Sequence, residues 1–381
     1  MSTRPHIMVI GAGAFGGWTA LYLLRRGARV TLLDAWGPGN SRASSAGDTR
    51  VMRGTYGANQ PYTRMAARAM QLWKEHERKW NRALFRQIGV LWMATDQDDQ
   101  YERESRLALR DGGMRFEELS PSQMTGRWPQ INSEDVRWGI YEPDGGFLYA
   151  RYACQCVVQG FQAEGGEYRQ AAVGLKEAES EYRNGFKLTD GTPLAADGYV
   201  FACGPWLGQL FPQTIGNLIF PSKQDLFFFG APAGDDRFSE NQLPVWADHH
   251  ARFMYGIPAN DGHGFKIGDD TRGPMFDPTS GERTASHENL KAIRDYLEFR
   301  FPAMKDAPLI ETQVCQYENT PDNHFIIDRH PALNNVWIVG GGSGHGFKHG
   351  PAVGEMVAEL VMKESVANPL FRLERLAKAG R

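Results

Sequence analysis

Three glycines near the amino terminus constrain the fold of this chain more than any other feature. Gly11, Gly13 and Gly16 follow the apolar segment His6–Ile10 and open a segment with the apolar spacing of a helix. A second apolar segment then ends in Asp34, eighteen residues after the third glycine. Strand, glycine turn, helix, strand and acidic residue follow one another in this order in dinucleotide-binding βαβ units. The amino-terminal part of the chain is therefore predicted to bind a dinucleotide.

The physical role of each position supports this prediction. The first glycine permits the tight turn, the second lets the backbone approach a pyrophosphate, and the third lets the helix pack closely on the strand. The start of the helix offers N–H donors to the phosphates, and the acidic residue accepts hydrogen bonds from the ribose. An ordinary α/β turn is the alternative. The residues predicted to contact the dinucleotide in this unit are Gly11, Gly13, Ala14, Phe15, Gly16 and Asp34.

Apolar periodicity and turn residues predict the remaining elements. Helices are predicted at 62–80, 96–110, 150–165 and 287–300, after Ser120-Pro121, and from about Gly350. Strands are predicted at 88–93, 199–203, 325–328 and 336–339, with strand and turn signals alternating over 218–272. Hairpin turns are predicted at Asn184-Gly185 and Asp190-Gly191.

The last predicted helix is preceded by a second glycine-dense segment, residues 340–348, which would let the backbone come close to a ligand. Nucleotide-binding elements therefore occur at both ends of the chain. The predicted fold class is α/β (α+β), with a Rossmann-like nucleotide domain and an inserted mixed-sheet substrate domain. The nucleotide domain is predicted to comprise 1–85, 147–215 and 320–381, and the substrate domain 86–146 and 216–319.

Composition excludes several classes of protein. Of the 381 residues, 41% are hydrophobic and 23% are charged, which fits a globular protein rather than a disordered or fibrous one. The net charge of -3 provides no basic footprint for nucleic acid. No apolar run approaches the ~18 residues of a membrane span. We therefore expect neither a nucleic-acid partner nor a membrane.

The four cysteines bear on location and on metals. They are too few for a disulfide framework and contain no Cys-x-x-Cys pair, so a reducing compartment is expected and structural zinc is not. His249 and His250 are adjacent on a predicted strand and point to opposite faces, so no metal is expected there. No signal peptide precedes the first strand, and Lys378-Ala-Gly-Arg381 is not a peroxisomal tripeptide. The expected location is the cytoplasm.

Several separated motifs occur together in this chain. They are Gly11-x-Gly13-x-x-Gly16 with Asp34, Gly47-Asp-Thr49-Arg50-x-x-Arg53, Arg127-Trp-Pro129, Ala202-Cys-Gly204-Pro-Trp206, Tyr255-Gly-x-Pro258, Lys266-Ile-Gly268, Cys315-x-Tyr317, Phe325-Ile-Ile-Asp328 and Ser343-Gly-His-Gly-Phe-Lys348. With them the chain resembles, over nearly its whole length, the monomeric sarcosine oxidase and N-methyltryptophan oxidase group of D-amino-acid-oxidase-like flavoproteins. The first motif is common to many folds, whereas the Cys315 and 343–348 segments are far more specific.

The resemblance implies FAD as the cofactor, bound covalently through a thioether between Cys315 and the flavin 8-methyl carbon. A thiolate is the nucleophile in such chemistry and forms more readily beside positive charge. A buried, unreactive cysteine is the alternative. Cys154 and Cys156 lie on a predicted helix and are expected to be structural, and Cys203 to pack near the nucleotide. Beyond the first unit, the residues expected to bind the cofactor are Ser44, Ser45, Thr49, Arg50, Val173, Cys203, Gly204, Trp206, Cys315, Gly342, Ser343, Gly344, Gly346, Phe347 and Lys348.

The resemblance also implies the catalytic residues. Lys266 resembles the lysine that promotes the reaction of the flavin with O2, although a lysine on a strand is more often a solvated edge charge. Arg53 and Lys348 resemble the pair that holds the substrate carboxylate, a role that suits the planar fork of arginine. The remaining residues expected to bind or orient the substrate are Tyr255, Tyr317, His345 and Trp246.

The chain departs from its relatives at three places. Ser45-Ala46 stands where relatives commonly carry two histidines before the Gly-Asp-Thr-Arg motif. Asp270 stands where many relatives have histidine, so an anion is expected near the rim of the site. Trp246 occupies a position with a smaller residue in sarcosine-type relatives, where it would narrow the pocket or stack on an aromatic substrate.

The function that the resemblance implies is oxidation of a secondary amino acid, N-methylated or cyclic, by an FAD-dependent monomer. The C–N bond would be oxidised to an imine, and O2 would be reduced to hydrogen peroxide. One alternative is a flavin-dependent dehydrogenase that passes electrons to another acceptor. The other is a nucleotide-binding protein without catalytic activity.

Overall fold

The computed structural model describes residues 4–95, 98–175, 179–249 and 252–378. Eight α-helices occur in these ranges: α1 Ala14–Arg25, α2 Gln60–Trp80, α3 Gln100–Asp111, α4 Pro121–Arg127, α5 Ala150–Ala163, α6 Leu207–Leu210, α7 His287–Arg300 and α8 Gly350–Val361. The first ten strands are β1 His6–Ile10, β2 Arg29–Asp34, β3 Thr49–Met52, β4 Phe85–Arg86, β5 Val90–Ala94, β6 Glu117–Leu119, β7 Trp138–Glu142, β8 Gly146–Tyr149, β9 Glu167–Gln170 and β10 Phe186–Lys187. The others are β11 Pro193–Leu194, β12 Gly198–Phe201, β13 Phe220–Phe229, β14 Val245–His249, β15 Phe253–Ile257, β16 Phe265–Asp269, β17 Leu309–Asn319, β18 Ile326–Arg329 and β19 Val336–Gly340.

A six-stranded sheet forms the nucleotide side of the fold. Its order is β18-β19-β12-β1-β2-β9, and all neighbours are parallel except β18 and β19. The strands β1, β12 and β19 are buried and almost wholly apolar, as expected for a parallel sheet covered on both faces. Helices α1, α5 and α8 pack together on this side, and Gly354 of α8 lies directly against the backbone of Trp18 in α1.

A mixed eight-stranded sheet forms the other side. Its order is β17-β13-β16-β15-β14-β5-β7-β6, in which only β5 and β14 are parallel. One face is covered by α7 and packs around Phe227, Trp246, Phe265 and Phe301. The two longest strands, β13 and β17, pair along nearly their whole length. A separate small antiparallel sheet has the order β3-β8-β4.

Most predicted elements agree with the structure, and two differ. The helix predicted at 96–110 begins at Gln100, and Asp96 and Gln97 lie outside the described residues. Asn184-Gly185 does not form a hairpin turn, because it ends the 3-10 helix Glu179–Asn184, whereas Asp190-Gly191 joins β10 to β11. Ser120 caps α4 through a capping box with Gln123, as the Ser-Pro signal indicated.

The two sheets draw their strands from separate parts of the sequence. Every strand of the six-stranded sheet lies within 1–85, 147–215 or 320–381, and every strand of the eight-stranded sheet within 86–146 or 216–319. This segregation supports the domain boundaries, which remain a prediction. Among the described residues, no helix is both long and apolar enough to cross a membrane.

Gly16 provides a test of the close helix–strand packing that the glycine motif predicts. A Cβ atom added at Gly16 would lie 1.8 Å from the carbonyl oxygen of Gly11, so the turn and α1 would have to separate. The change Gly16→Ala should lower the melting temperature and the fraction of protein that retains FAD, because overpacking costs about 1–3 kcal/mol. Thermal unfolding measures the melting temperature, and the ratio of flavin to protein absorbance measures the fraction that retains FAD.

Gly126 in α4 provides the matched control. No atom lies within 4 Å of the Cβ added there. Gly126→Ala should therefore leave flavin content unchanged and raise the melting temperature slightly, because alanine is the better helix former. Equal behaviour of the two variants would contradict the packing role of Gly16.

Candidate active site

A cavity of about 470 Å³ lies at the carboxyl ends of β1 and β2 and the start of α1. Ligands bind at this edge of parallel sheets because the loops after the strands diverge there. The segments that line the cavity come from both ends of the chain and from its middle, including 202–206, 315–318 and 342–347. Distant parts of the sequence therefore meet at one large site.

The glycine turn at the base of this cavity depends on its close backbone contacts. Gly11 has a φ of +104°, and a Cβ there would lie 2.3 Å from the carbonyl oxygen of Ala202. The N–H of Ala12 donates to Asp34 Oδ2 at 2.8 Å, and the N–H groups of Trp36 and Gly37 donate to Oδ1 at 2.9 and 2.8 Å. The Asp34 carboxylate is thus fixed by three backbone donors and retains capacity for a ribose hydroxyl.

Unpartnered polar groups around the cavity fit a bound dinucleotide. Helix α1 has no acidic residue in its first turn that would repel a phosphate, and the Ala14 N–H at its start donates to the Ser45 hydroxyl at 3.0 Å. The Ser44 hydroxyl and Glu318 Oε1 are buried and make no hydrogen bond within the described residues. Burial raises the pKa of Glu318 to about 7, and buried polar groups of this kind normally have a partner. These residues fit FAD, whose ribityl and ribose hydroxyls supply such partners.

The structure places most of the predicted cofactor-binding residues on this cavity. They are Gly11, Gly13, Ala14, Phe15, Asp34, Ser44, Ser45, Arg50, Val173, Cys203, Gly204, Trp206, Cys315, Gly342, Gly344, Gly346 and Phe347. Gly16 does not line it, because its role is packing. Ser343 is also absent from the lining, because its hydroxyl donates to the Gly341 carbonyl and accepts from the Thr320 N–H. Thr49 and Lys348 line a second cavity instead.

The cysteines differ in their surroundings. Cys315 Sγ accepts a hydrogen bond from Arg50 Nη2 at 3.5 Å. Burial raises the pKa of the Cys203 and Cys154 thiols, and Cys203 donates to the Ile10 carbonyl. Cys156 is buried in α5 beside Cys154 and belongs to the core. All four cysteines are free. Cys315 is therefore the cysteine placed beside both a cavity and a cation.

The second cavity, of about 80 Å³, adjoins the first. The residues that line both cavities are Arg50, Cys315, Tyr317, Gly344 and Phe347. Gly344 has a φ of +79°, and a Cβ there would lie 2.6 Å from the Tyr317 ring, so the backbone comes close to the tyrosine at this junction. The five residues predicted to bind substrate, Arg53, Trp246, Tyr255, Tyr317 and Lys348, all border the second cavity.

Tyr56, which the sequence analysis did not single out, organises the two cations of this cavity. The Arg53 guanidinium lies 4.6 Å from the centre of the Tyr56 ring and 4.9 Å from that of Trp92. Lys348 Nζ donates to the Tyr56 hydroxyl at 2.9 Å and to the His345 carbonyl at 3.0 Å. Burial, and then the charge of Arg53, lower the pKa of Lys348 well below its usual value. Within the described residues, neither cation forms an ion pair.

A buried carboxylate, also missed by the sequence analysis, fixes the backbone that carries Arg53. Glu142 accepts hydrogen bonds from the Gly54 N–H at 2.6 Å and from the Thr55 N–H and hydroxyl at 3.1 and 2.5 Å. Arg53 in turn donates to the Thr55 carbonyl. The guanidinium is therefore held in place before any ligand binds. No local sequence signal connects Glu142 with Arg53, because they are 89 residues apart.

Asp270 is one of the residues that line the second cavity, and it is partly buried. The Tyr317 hydroxyl donates to Asp270 Oδ1 at 2.6 Å. Burial raises the pKa of Asp270 to about 6, although Tyr317, Arg53 and Lys348 act in the opposite direction. The chain therefore places an acid among the cations of this cavity.

Lys266 lies behind the second cavity rather than in its wall. Among the described residues it is absent from both linings, and its Nζ donates to the Thr49 carbonyl at 2.9 Å and to the Thr49 hydroxyl at 3.3 Å. It is almost fully buried, so it is not a solvated edge charge. Burial, and then the charge of Arg50, lower the pKa of Lys266 to about 7.

Three other predicted residues are held by their neighbours. Trp246 borders the cavity, but its ring is fully buried in the second core, where it stacks on Phe265 and Tyr296. It does not offer a free face for stacking on a substrate. His345 bonds through Nε2 to the Asn323 carbonyl at 3.1 Å, and burial lowers its pKa to about 3, so its ring is neutral.

Tyr255 is only partly buried, unlike Trp246. Its ring lies 3.0 Å from the position of a Cβ added at Gly268, and burial raises the pKa of its hydroxyl. Among the described residues no group of His, Cys, Asp and Glu side chains is arranged to hold a metal ion. His250, considered above with His249, lies outside them.

A cavity that fits a dinucleotide adjoins a small cationic cavity. This arrangement fits the class of flavin-dependent oxidoreductases. Residues 6–360 match the family described as FAD dependent oxidoreductase (DAO). The chain belongs to this family, and it is an enzyme of the FAD-dependent amino acid and amine oxidase type.

Individual relatives agree with this assignment. The monomeric sarcosine oxidase of Bacillus sp. (strain NS-129) is 30% identical over 382 residues, which cover 94% of this chain and 93% of the relative. An N-methyl-L-tryptophan oxidase of Citrobacter koseri is 27% identical, with 98% of this chain and 100% of the relative covered. The crystal structure of L-proline dehydrogenase from P. horikoshii has a TM-score of 0.84 at 22% identity and covers 100% of this chain and 99% of that one. The structural match shows a shared fold.

Proposed function

We propose that this protein is an FAD-dependent oxidase of a small secondary amino acid, N-methylated or cyclic. The observation that carries the proposal is that Arg53 and Lys348 border one cavity, which adjoins the larger cavity, and that neither forms an ion pair within the described residues. Buried charges are normally paired, so this pair calls for an anionic ligand. A substrate carboxylate satisfies it through bidentate contacts to arginine and a further bond to lysine.

The residues of the chain have separate tasks in this reaction. Bound FAD supplies the acceptor for two electrons and is held covalently by Cys315. Arg53 and Lys348 hold the carboxylate, and Tyr317 and Tyr255 border the rest of the substrate, so that the substrate is held in one orientation. An imine forms and is hydrolysed by water after release. We further propose a cytoplasmic monomer.

Lys266 is proposed to favour reduction of O2 to hydrogen peroxide. A buried cation stabilises negative charge that develops on oxygen, and electrostatic stabilisation of this kind is a large catalytic contribution. Thr49 holds the ammonium group directly behind the cavity wall. The resemblance to sarcosine oxidases supports the same role.

A substrate panel tests the proposed function as a whole. Sarcosine, N-methyl aromatic amino acids, proline, pipecolate and glycated amino acids are mixed with the purified protein, first without and then with air. At least one should bleach the flavin absorbance without air, and air should restore it with release of peroxide. Arg53→Met should lose this bleaching at the same substrate concentration. Bleaching with restoration only by an artificial acceptor would indicate a dehydrogenase, and no bleaching by any carboxylated amine would contradict the proposal.

Replacing Cys315 tests covalent attachment. The protein should remain yellow after acid precipitation, because a thioether survives unfolding, whereas Cys315→Ala should release its colour into the supernatant. Cys203→Ala is the control, since Cys203 lines the same cavity but lacks the neighbouring guanidinium. Release of flavin from the unchanged protein would show that attachment is not covalent.

Replacing Lys266 tests its role toward oxygen. Lys266→Met should slow reoxidation of the flavin by O2 by roughly 100-fold while flavin reduction changes much less. Reoxidation should also slow as the pH rises above about 7, because the cationic form of a lysine with a lowered pKa is lost there. Stopped-flow absorbance measures both half-reactions. Lys223→Met, on strand β13 of the same sheet, is the control, and an equal loss in both half-reactions would argue against the assignment.

A further inference from the structure

Asp270 has one hydrogen-bond partner and a free oxygen. It follows β16, and its N–H donates to the Phe253 carbonyl at 2.8 Å, which fixes its backbone. Tyr317 binds Oδ1 at 2.6 Å, and no hydrogen bond reaches Oδ2 within the described residues. A carboxylate accepts about four hydrogen bonds, so one neutral donor leaves most of its capacity unused. The free oxygen belongs to a residue that lines the second cavity.

The charges of this cavity match a zwitterion rather than a simple anion. Arg53 and Lys348 require negative charge, yet Asp270 in the same cavity forms no ion pair with either within the described residues. A bound carboxylate alone would bring two anions together in an enclosed space, and like charges there repel. A ligand with an ammonium group as well as a carboxylate satisfies both poles.

The groups that face Asp270 allow it to change charge in the neutral range. Those that act on it are the phenols of Tyr101, Tyr255 and Tyr317, the cations Arg53 and Lys348, and the neighbouring Asp269. Burial raises its pKa to about 6, so the carboxylate is charged at pH 8 and is neutral well below pH 6. A carboxylate of this kind can hold an ammonium group.

We propose, resting on the function proposed above, that Asp270 receives the ammonium group of the substrate at its free carboxylate oxygen. No bond forms or breaks in this contact, which pairs two opposite charges. Tyr317 orients the carboxylate through its hydrogen bond to Oδ1 and is a positioning residue for this contact.

An isosteric pair of ligands tests the ammonium site without turnover. Glycine betaine and 3,3-dimethylbutanoate have the same shape and the same carboxylate, but only betaine carries a positive charge. Binding of each is followed at pH 8 through the change in flavin absorbance. Betaine should bind about 10- to 100-fold more tightly, as expected for a charged contact. Asp270→Asn should remove this preference while 3,3-dimethylbutanoate still binds, and the preference in the unchanged protein should vanish as the pH falls through about 6.

Two control variants separate this inference from the proposed function. Arg53→Met should abolish binding of both ligands, because it removes the carboxylate contact. Asp269→Asn should keep the preference for betaine, because that carboxylate pairs with Arg252 at 2.6 Å. Equal affinities in the unchanged protein at pH 8 would overturn the role of Asp270 alone, whereas binding of neither ligand would count against the carboxylate pair and hence the proposed function.

Discussion

Enclosing Arg53 and Lys348 in one cavity is unfavourable, because each loses water and each repels the other. The surrounding structure offsets this with aromatic and hydrogen-bonding contacts. The Arg53 guanidinium lies close to the rings of Tyr56 and Trp92, and the Tyr56 hydroxyl accepts a hydrogen bond from Lys348. Burial and the charge of Arg53 nevertheless lower the pKa of Lys348 well below its usual value. A ligand that brings negative charge stabilises both cations, and the proposed chemistry follows from that requirement.

Strand β17 connects this cationic cavity with the dinucleotide cavity. Cys315 and Tyr317 border both spaces, and Glu318 borders the larger one. The strand is held in register by its long pairing with β13, so these three side chains are placed on rigid backbone. Rigid placement matters because catalytic geometry tolerates only small displacements. In the proposed function, the same strand serves cofactor attachment and substrate orientation.

Asp270 changes the character of the site relative to the histidine common among relatives. Its raised pKa and its bond to Tyr317 make it an acid that responds to pH near neutrality. The cavity is consequently dipolar, with cations around Tyr56 and an anion beside Tyr317. Selection between amino acids and simple carboxylates would then depend on a single residue rather than on the shape of the cavity.

The sequence by itself determined the glycine turn with Asp34 and the main helices, because local motifs and periodicity carry them, and the resemblance to a family pointed to Cys315, Arg53 and Lys348. Only the tertiary structure decided that Asp270 lines the same cavity as Arg53 and Lys348, that Trp246 is committed to the core, and that Ser343 serves a turn. It also revealed Tyr56 and Glu142, whose partners are far away in sequence, and Glu318, whose buried Oε1 has no partner within the described residues. Local patterns encode backbone conformation, whereas burial and charge pairing depend on which distant strands meet.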